Sequence, residues 1–345
     1  MPKYHYLHPF PLESGDSLPS LEIEYQTWGS LNADESNVIW ICHALTANAD
    51  AADWWSGLVG NGKLFDPQKH FIVCANILGS CYGSTNALSV NQETGEPFYH
   101  QFPLITVRDM VHGHELLRQH LDIEKIHTLI GGSMGGQQAL EWAIQKPNLF
   151  KFLIPLATNA QHSPWGIAFN ESQRLAIQAD ATWVENRADA GKKGLKAARA
   201  MAMLSYRNYQ TYDVSQSEED SDKLDHFLAS SYQAYQGGKL TDRFNAFSYF
   251  TLSKAMDSHH VGRGRGGVQA ALGRIKAKTL VIGITSDILF PLKEQIHLTK
   301  NIENATLVTI DSIYGHDGFL IEYQQIAHKI RSFYGKTEEL EILEL

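Results

Sequence analysis

Six short runs of β-branched and aliphatic residues recur along this chain and constrain its fold more than any other feature: Val38–Cys42, Phe71–Ala75, Ile126–Ile130, Phe152–Leu156, Thr279–Ile284 and Ala305–Ile310. Each is almost continuously apolar, the pattern of strands covered on both faces. Helical stretches at Val107–Leu121, Gly135–Gln145 and Lys293–Asn301 lie between several of them, and Phe319–Tyr334 follows the last. Strands alternating with helices predict an α/β fold with a mostly parallel central sheet and helices on both faces.

One interval breaks the alternation. Between Asn159 and Ala270 no buried strand is evident, and helical patterns fill the stretch at Phe169–Gln178, Gly194–Tyr206, Lys223–Gln236 and Ala246–Met256. An all-helical insertion between two strands of a parallel sheet reads as a lid. It divides the chain into the first part of a core (1–158), the lid (159–270) and the second part of the core (271–345). Within the lid, the acidic stretch Asp213–Asp225 reads as a solvated loop, and so does the acidic tail after Lys336.

Composition narrows the function. With 43% hydrophobic and 19% charged residues over 345 positions, the chain can bury a large core and is not disordered. Its 29 basic and 38 acidic side chains leave a net charge of −9, which argues against nucleic acid. No apolar run reaches the roughly 18 residues of a membrane helix, and MPKYHYLHPFPLESGDS lacks the regions of a secretory signal. Cys42, Cys74 and Cys81 fit no zinc spacing and suggest free thiols in a reducing compartment, so a cytoplasmic protein without a metal is expected.

The sharpest local feature is Gly131-Gly132-Ser133-Met134-Gly135, a G-x-S-x-G that follows a buried strand and opens a helix. Small residues around the serine allow a sharp turn with an exposed hydroxyl, and the helix N-terminus turns free N–H groups toward it. Such a serine needs a base and an orienting carboxylate, in the chain order Ser, Asp or Glu, His, each after a strand. Asp287 follows Thr279–Ile284. His316 follows Ala305–Ile310 in a glycine-flanked loop. Two backbone donors must also face the developing oxyanion, and Met134 and Leu45 hold the matching positions. His43, beside Leu45, reads as a structural loop histidine. Gly262-Arg263-Gly264-Arg265-Gly266-Gly267 matches a dinucleotide motif but follows a helix, so it reads as a loop near the sheet edge.

These residues resemble the homoserine O-acyltransferases of the α/β-hydrolase superfamily, in the acetyltransferase branch of methionine biosynthesis. The likeness runs through HALTANAD (43–50), NILGSCYGST (76–85), FPLITVRDMV (102–111), GGSMGGQQALEWA (131–143), IAFNESQRLAI (167–177), ARAMAMLSYR (198–207), SYFTLSKAMD (248–257), SDILFP (286–291) and GHDGFL (315–320). It implies an α/β-hydrolase fold with a helical lid, a Ser133–Asp287–His316 triad, and homoserine binding by Arg199, Tyr206 and Asp317. It also implies acetyl-CoA as co-substrate with no bound cofactor, L-homoserine as acceptor, and a homodimer joined through the lid. The sequence agrees on Arg199, which shares one helical stripe with Leu195, Ala202 and Tyr206. A charge in an apolar stripe needs a partner, and a guanidinium fork suits a carboxylate. Succinyl transfer to homoserine, acyl transfer to serine, and ester or thioester hydrolysis are the alternatives on the same scaffold.

Overall fold

A computed structural model describes residues 1–343, without the side chains of residue 336 and residues 338–343. Eight strands form one sheet: β1 (Lys3–Tyr6), β2 (Leu21–Trp28), β3 (Val38–Cys42), β4 (Phe71–Ala75), β5 (Ile126–Gly132), β6 (Phe150–Leu156), β7 (Lys278–Ile284) and β8 (Ala305–Ile310). Their order across the sheet is β1-β2-β4-β3-β5-β6-β7-β8. The strands from β3 to β8 pair in parallel, whereas β1 with β2 and β2 with β4 are antiparallel.

The two antiparallel strands are absent from the sequence reading, which sought continuous apolar runs. β2 (LEIEYQTW) instead alternates buried and half-buried positions, the period-two signature of a strand with one face on the core. β1 (KYHY) is a half-exposed edge whose polar side chains carry little signal.

The sheet is covered by α1 (Val107–His120), α2 (Met134–Gln145) and, after the lid, α8 (Leu292–Asn301) and α9 (Tyr323–Leu343). α1 opens with a capping box, Thr106 accepting from the Asp109 N–H while the Asp109 carboxylate accepts from the Thr106 N–H. The helix expected over Phe319–Tyr334 is two, a short one at Gly318–Ile321 and then α9, broken at Glu322. The tail after Lys336, expected as a loop, continues α9 to Leu343; its acidic side chains fall outside the described residues.

The lid joins two adjacent strands, β6 and β7. It contains α3 (Pro164–Gln178), α4 (Lys192–Tyr206), α5 (Tyr209–Gln216), α6 (Leu228–Thr241) and α7 (Ala246–Asp257). Its two ends are stitched together where Gln161 bridges His260 and the His162 N–H donates to the His259 carbonyl at 3.0 Å. Leu195 and Ala198 of α4 join Tyr249, Leu252 and Ala255 of α7 in the same apolar core as the sheet.

Two lid expectations need correction. The helix expected from Lys223 starts only at Leu228, because Asp220 caps a turn, His226 has φ +58° and the Glu218 carboxylate accepts from the Leu228 N–H. Asp213, counted with the acidic loop, lies on α5.

Gly262–Gly267 forms a turn whose arginines reach back to the core. Arg263 pairs with Glu13 at 2.9 Å, and Arg265 pairs with Glu141, a buried carboxylate on α2. The arginine loop therefore braces the helix behind Ser133. Among the described residues, no helix is long and apolar enough to cross a membrane.

Candidate active site

Ser133 sits between β5 and α2 with φ +58° and ψ −125°, a conformation that strains an L-residue with a side chain. The sequence allows it through two glycines. A Cβ on Gly135 would collide with the Cys42 carbonyl on β3, and one on Gly131 would collide with the backbone of Gly135. Hydrogen bonds then hold the turn: the Ser133 N–H donates to the Leu156 carbonyl at 2.9 Å, and the Thr158 hydroxyl donates to the Ser133 carbonyl at 2.7 Å. The Ser133 side chain does not cap its helix, which leaves the hydroxyl available.

Asp287 lies in the turn after β7 and His316 in the turn after β8. One Asp287 oxygen accepts from the N–H groups of Leu289 and Phe290 at 2.8 and 2.9 Å. The other is 2.7 Å from Nδ1 of His316. A carboxylate can only accept, so Nδ1 carries the proton and Nε2 presents its lone pair. The rings of Phe290 and Phe319 pack on His316 at 5.1 and 5.2 Å between centroids. His316 and Ser133 line the same cavity, of about 70 Å³, together with Leu45, Arg199, Tyr206 and Asp317.

The loop carrying Leu45 is fixed by buried neutral histidines. His43 donates from Nδ1 to the Ala44 carbonyl at 2.8 Å and accepts at Nε2 from the Ile77 N–H at 3.1 Å. Gln138 on α2 donates to the carbonyls of His43 and Met134, while its own oxygen accepts from Nε2 of His114 at 3.0 Å. Burial pushes both His43 and His114 down to about 4, so both stay uncharged near neutral pH. The two expected oxyanion donors, Leu45 and Met134, thus stand on elements tied to each other through Gln138. Neither Gln138 nor the role of His114 was legible, since nothing local in the sequence links α1, α2 and the β3 loop.

At the other end of the cavity, the Arg199 guanidinium lies over the Tyr206 ring, 5.0 Å from its centroid. Among the described residues no carboxylate forms an ion pair with Arg199. Burial raises the Tyr206 hydroxyl above its usual range, so it stays protonated. Asp317 follows His316 directly and is not free: one of its oxygens stands 3.3 Å from Nε of Arg207. Burial raises the Asp317 carboxyl, against the pull of Arg207, Arg199 and His316. The sequence reading did not single out Arg207, although it is the residue after Tyr206. The charged groups here are the Arg199 guanidinium, the Asp317 carboxylate with Arg207 beside it, and the His316–Asp287 couple. Such a site can form and resolve an acyl-serine, and it can hold a zwitterion beside it.

The family model of the alpha/beta hydrolase fold matches residues 37–323. A homoserine O-acetyltransferase of Cyclobacterium marinum is 54% identical over 323 residues, covering 94% of this chain and 92% of the relative. The solved structure of a homoserine O-acetyltransferase from Bacillus anthracis superposes with a TM-score of 0.88 at 24% identity, covering 96% and 97% of the two chains. An acetylester hydrolase from Corynebacterium glutamicum does so with 0.85 at 24% identity, covering 97% and 96%. The fold is therefore common to a transferase and a hydrolase, and only the site can separate them.

The glycine requirement at the serine turn is open to test. Gly135→Ala should lower stability by about 1–3 kcal/mol or displace the turn, with activity falling at least as far. Thermal denaturation read beside turnover checks this; an alanine variant with unchanged melting and unchanged rate would contradict the close approach of α2 to β3.

Proposed function

This chain belongs to the homoserine O-acetyltransferases of the α/β-hydrolase fold, and on that premise we propose how its residues move an acetyl group from acetyl-CoA to the hydroxyl of L-homoserine. Ser133 Oγ attacks the thioester carbonyl while Nε2 of His316 takes its proton. The N–H groups of Leu45 and Met134 bind the oxyanion of the tetrahedral intermediate. Collapse breaks the C–S bond, CoA leaves with the proton from His316, and acetyl-Ser133 remains. The homoserine hydroxyl then gives its proton to His316 and attacks the acetyl carbonyl. Loss of Ser133 Oγ, which regains the proton, yields O-acetyl-L-homoserine. Asp287 keeps the imidazole oriented and stabilises its charged form in both halves. No bound cofactor takes part.

One observation carries the choice of acceptor: Arg199 and Asp317, of opposite charge, line the same small cavity as Ser133. An amino acid supplies a carboxylate for the guanidinium and an ammonium for the aspartate, which aims its hydroxyl at the acyl group. An ester hydrolase has no use for such a pair. Positioning of this kind is worth effective molarities of about 10⁵ M or more, enough to outrun water. The donor reading follows from the same count of charges. Among the described residues, Arg199 is the one guanidinium lining the cavity. Once homoserine occupies it, none is left there for the free carboxylate of a succinyl group, so acetyl is favoured.

Leu175 on α3, Met201 and Leu204 on α4, and Tyr235 on α6 remain exposed although they are large and apolar. This supports a homodimer joined through the lid. The enzyme works in the cytoplasm in this reading, where its free Cys42, Cys74 and Cys81 stay reduced.

Three outcomes are expected. Incubation with acetyl-CoA alone should add one acetyl mass to the peptide containing Ser133, and Ser133→Ala should end turnover; an unmodified serine beside continuing transfer would sink the covalent scheme. Arg199→Ala should cut kcat/KM for homoserine about tenfold to a hundredfold, the worth of a charge-assisted hydrogen bond, with the burst of CoA release kept near wild type. A burst that falls in parallel with turnover would mean a structural arginine instead. Light scattering at micromolar protein should give the mass of two chains, and a monomer would contradict the lid interface.

A further inference from the structure

Arg207 lies just outside the cavity and is costly to the fold. It follows α4 as its C-cap, with an extended backbone whose N–H donates to the Met203 carbonyl at 2.9 Å. That backbone is fitted to the turn carrying His316 and Asp317. Gly315 there has φ +61°, and a Cβ on it would come 3.0 Å from the Arg207 carbonyl carbon. The Thr211 hydroxyl on α5, donating to the Ile313 carbonyl, ties the same two segments together.

The guanidinium itself is poorly served. Its Nε and Nη1 atoms are buried without a hydrogen-bond partner. Its contacts are the Asp317 carboxylate, 3.3 Å from Nε but outside hydrogen-bond geometry, and the Tyr314 ring, 5.3 Å from its centroid. The side chain is half-buried, and buried donors left without partners detract from stability. A local rule broken in this way, beside a candidate site, points to a role in that site.

We infer that Arg207 is a positioning residue for the amino-acid acceptor: from behind the cavity wall it holds the Asp317 carboxylate charged and turned toward the ammonium group. The inference rests on the reading of Asp317 as the ammonium partner. Arg207 does not line the cavity, whereas Asp317 and Arg199 do. It therefore acts through Asp317 and not on the substrate.

The electrostatics agree with the geometry. Burial favours the neutral acid of Asp317, Asp287 adds to that push, and Arg207 leads the groups that oppose it, ahead of Arg199 and His316. Tyr206 and Tyr212, which also face Asp317, are raised by burial and remain neutral hydroxyls. When the acceptor carboxylate sits on Arg199, that cation is shared with the ligand. Among the described residues, Arg207 is then the guanidinium left to Asp317. A neutral Asp317 would donate or accept a single weak bond and lose its charge attraction for the ammonium.

The experiment compares two acceptors: L-homoserine, and 4-hydroxybutyrate, which keeps the hydroxyl and carboxylate but lacks the ammonium. Arg207→Met should lower kcat/KM for homoserine roughly tenfold, mainly through KM, and move the acid limb of its pH profile upward. Transfer to 4-hydroxybutyrate and the CoA burst should hold at wild-type values, and Arg207→Lys should recover part of the loss. Equal loss with both acceptors and an unmoved acid limb would overturn the inference and leave a structural arginine. Asp317→Asn separates the two layers. If it fails to discriminate between the acceptors, the reading of Asp317 itself is wrong. If it discriminates while Arg207→Met does not, only the role of Arg207 falls. Should the methionine variant not fold, Arg207→Lys carries the test: a loss confined to homoserine supports the role, and an equal effect on both acceptors overturns it.

Discussion

The backbone contact between Gly135 and the Cys42 carbonyl is the constraint on which the site is built. It lets α2 approach β3 closely enough that the chain must turn sharply at Ser133, with φ +58°. The left-handed turn lifts the hydroxyl out of the helix cap and aims the start of α2 at the reaction centre. The same approach brings the loop after β3 against α2, where Gln138 can donate to both His43 and Met134 carbonyls. One tight crossing thus places the nucleophile and both expected oxyanion donors. A side chain at either glycine would disturb all three together.

The second level of organisation is electrostatic and belongs to the junction of lid and core. α4 ends in Tyr206 and Arg207, and its backbone there packs on the turn that carries His316 and Asp317. The lid therefore contributes more than cover. It brings Arg199 over the cavity and sets Arg207 beside Asp317. Ser133, Asp287 and His316 follow strands of the sheet, whereas Arg199, Arg207 and Asp317 meet at the seam; in the proposed reaction the first set moves the acetyl group and the second receives the acceptor.

Sequence reading reached these two levels unequally. Five of the six parallel strands were legible because burial on both faces leaves unbroken apolar runs. β8, also expected to be buried on both faces, is a half-exposed edge strand whose only fully buried residue is Ile310, and its aliphatic composition alone revealed it. Ser133, Asp287 and His316 were legible because each stands at a strand's end in a fixed order. β1 and β2 were not, since one-sided burial alternates and an edge strand is largely polar. Local chemistry also moved element boundaries, as when Glu218 and the positive φ of His226 delay α6 to Leu228. Long-range partners were beyond reach: the His43–Gln138–His114 chain, the grip of Arg265 on Glu141, and the Arg207–Asp317 pair join residues far apart in sequence. Arg199, Tyr206 and Asp317 entered through a family likeness, and only the stripe on α4 supported Arg199 from pattern alone.

Whether the acceptor clamp governs the fate of the acyl group is read most directly from CoA release, followed with a thiol reagent in the presence and absence of L-homoserine. Without acceptor, release should stop after about one equivalent per chain, because acetyl-Ser133 forms and water reaches it poorly. Adding homoserine should restore continuous release matched one to one by O-acetylhomoserine. Continuous release of CoA and acetate without homoserine, at a rate that homoserine does not raise, would mark a hydrolase and contradict the account.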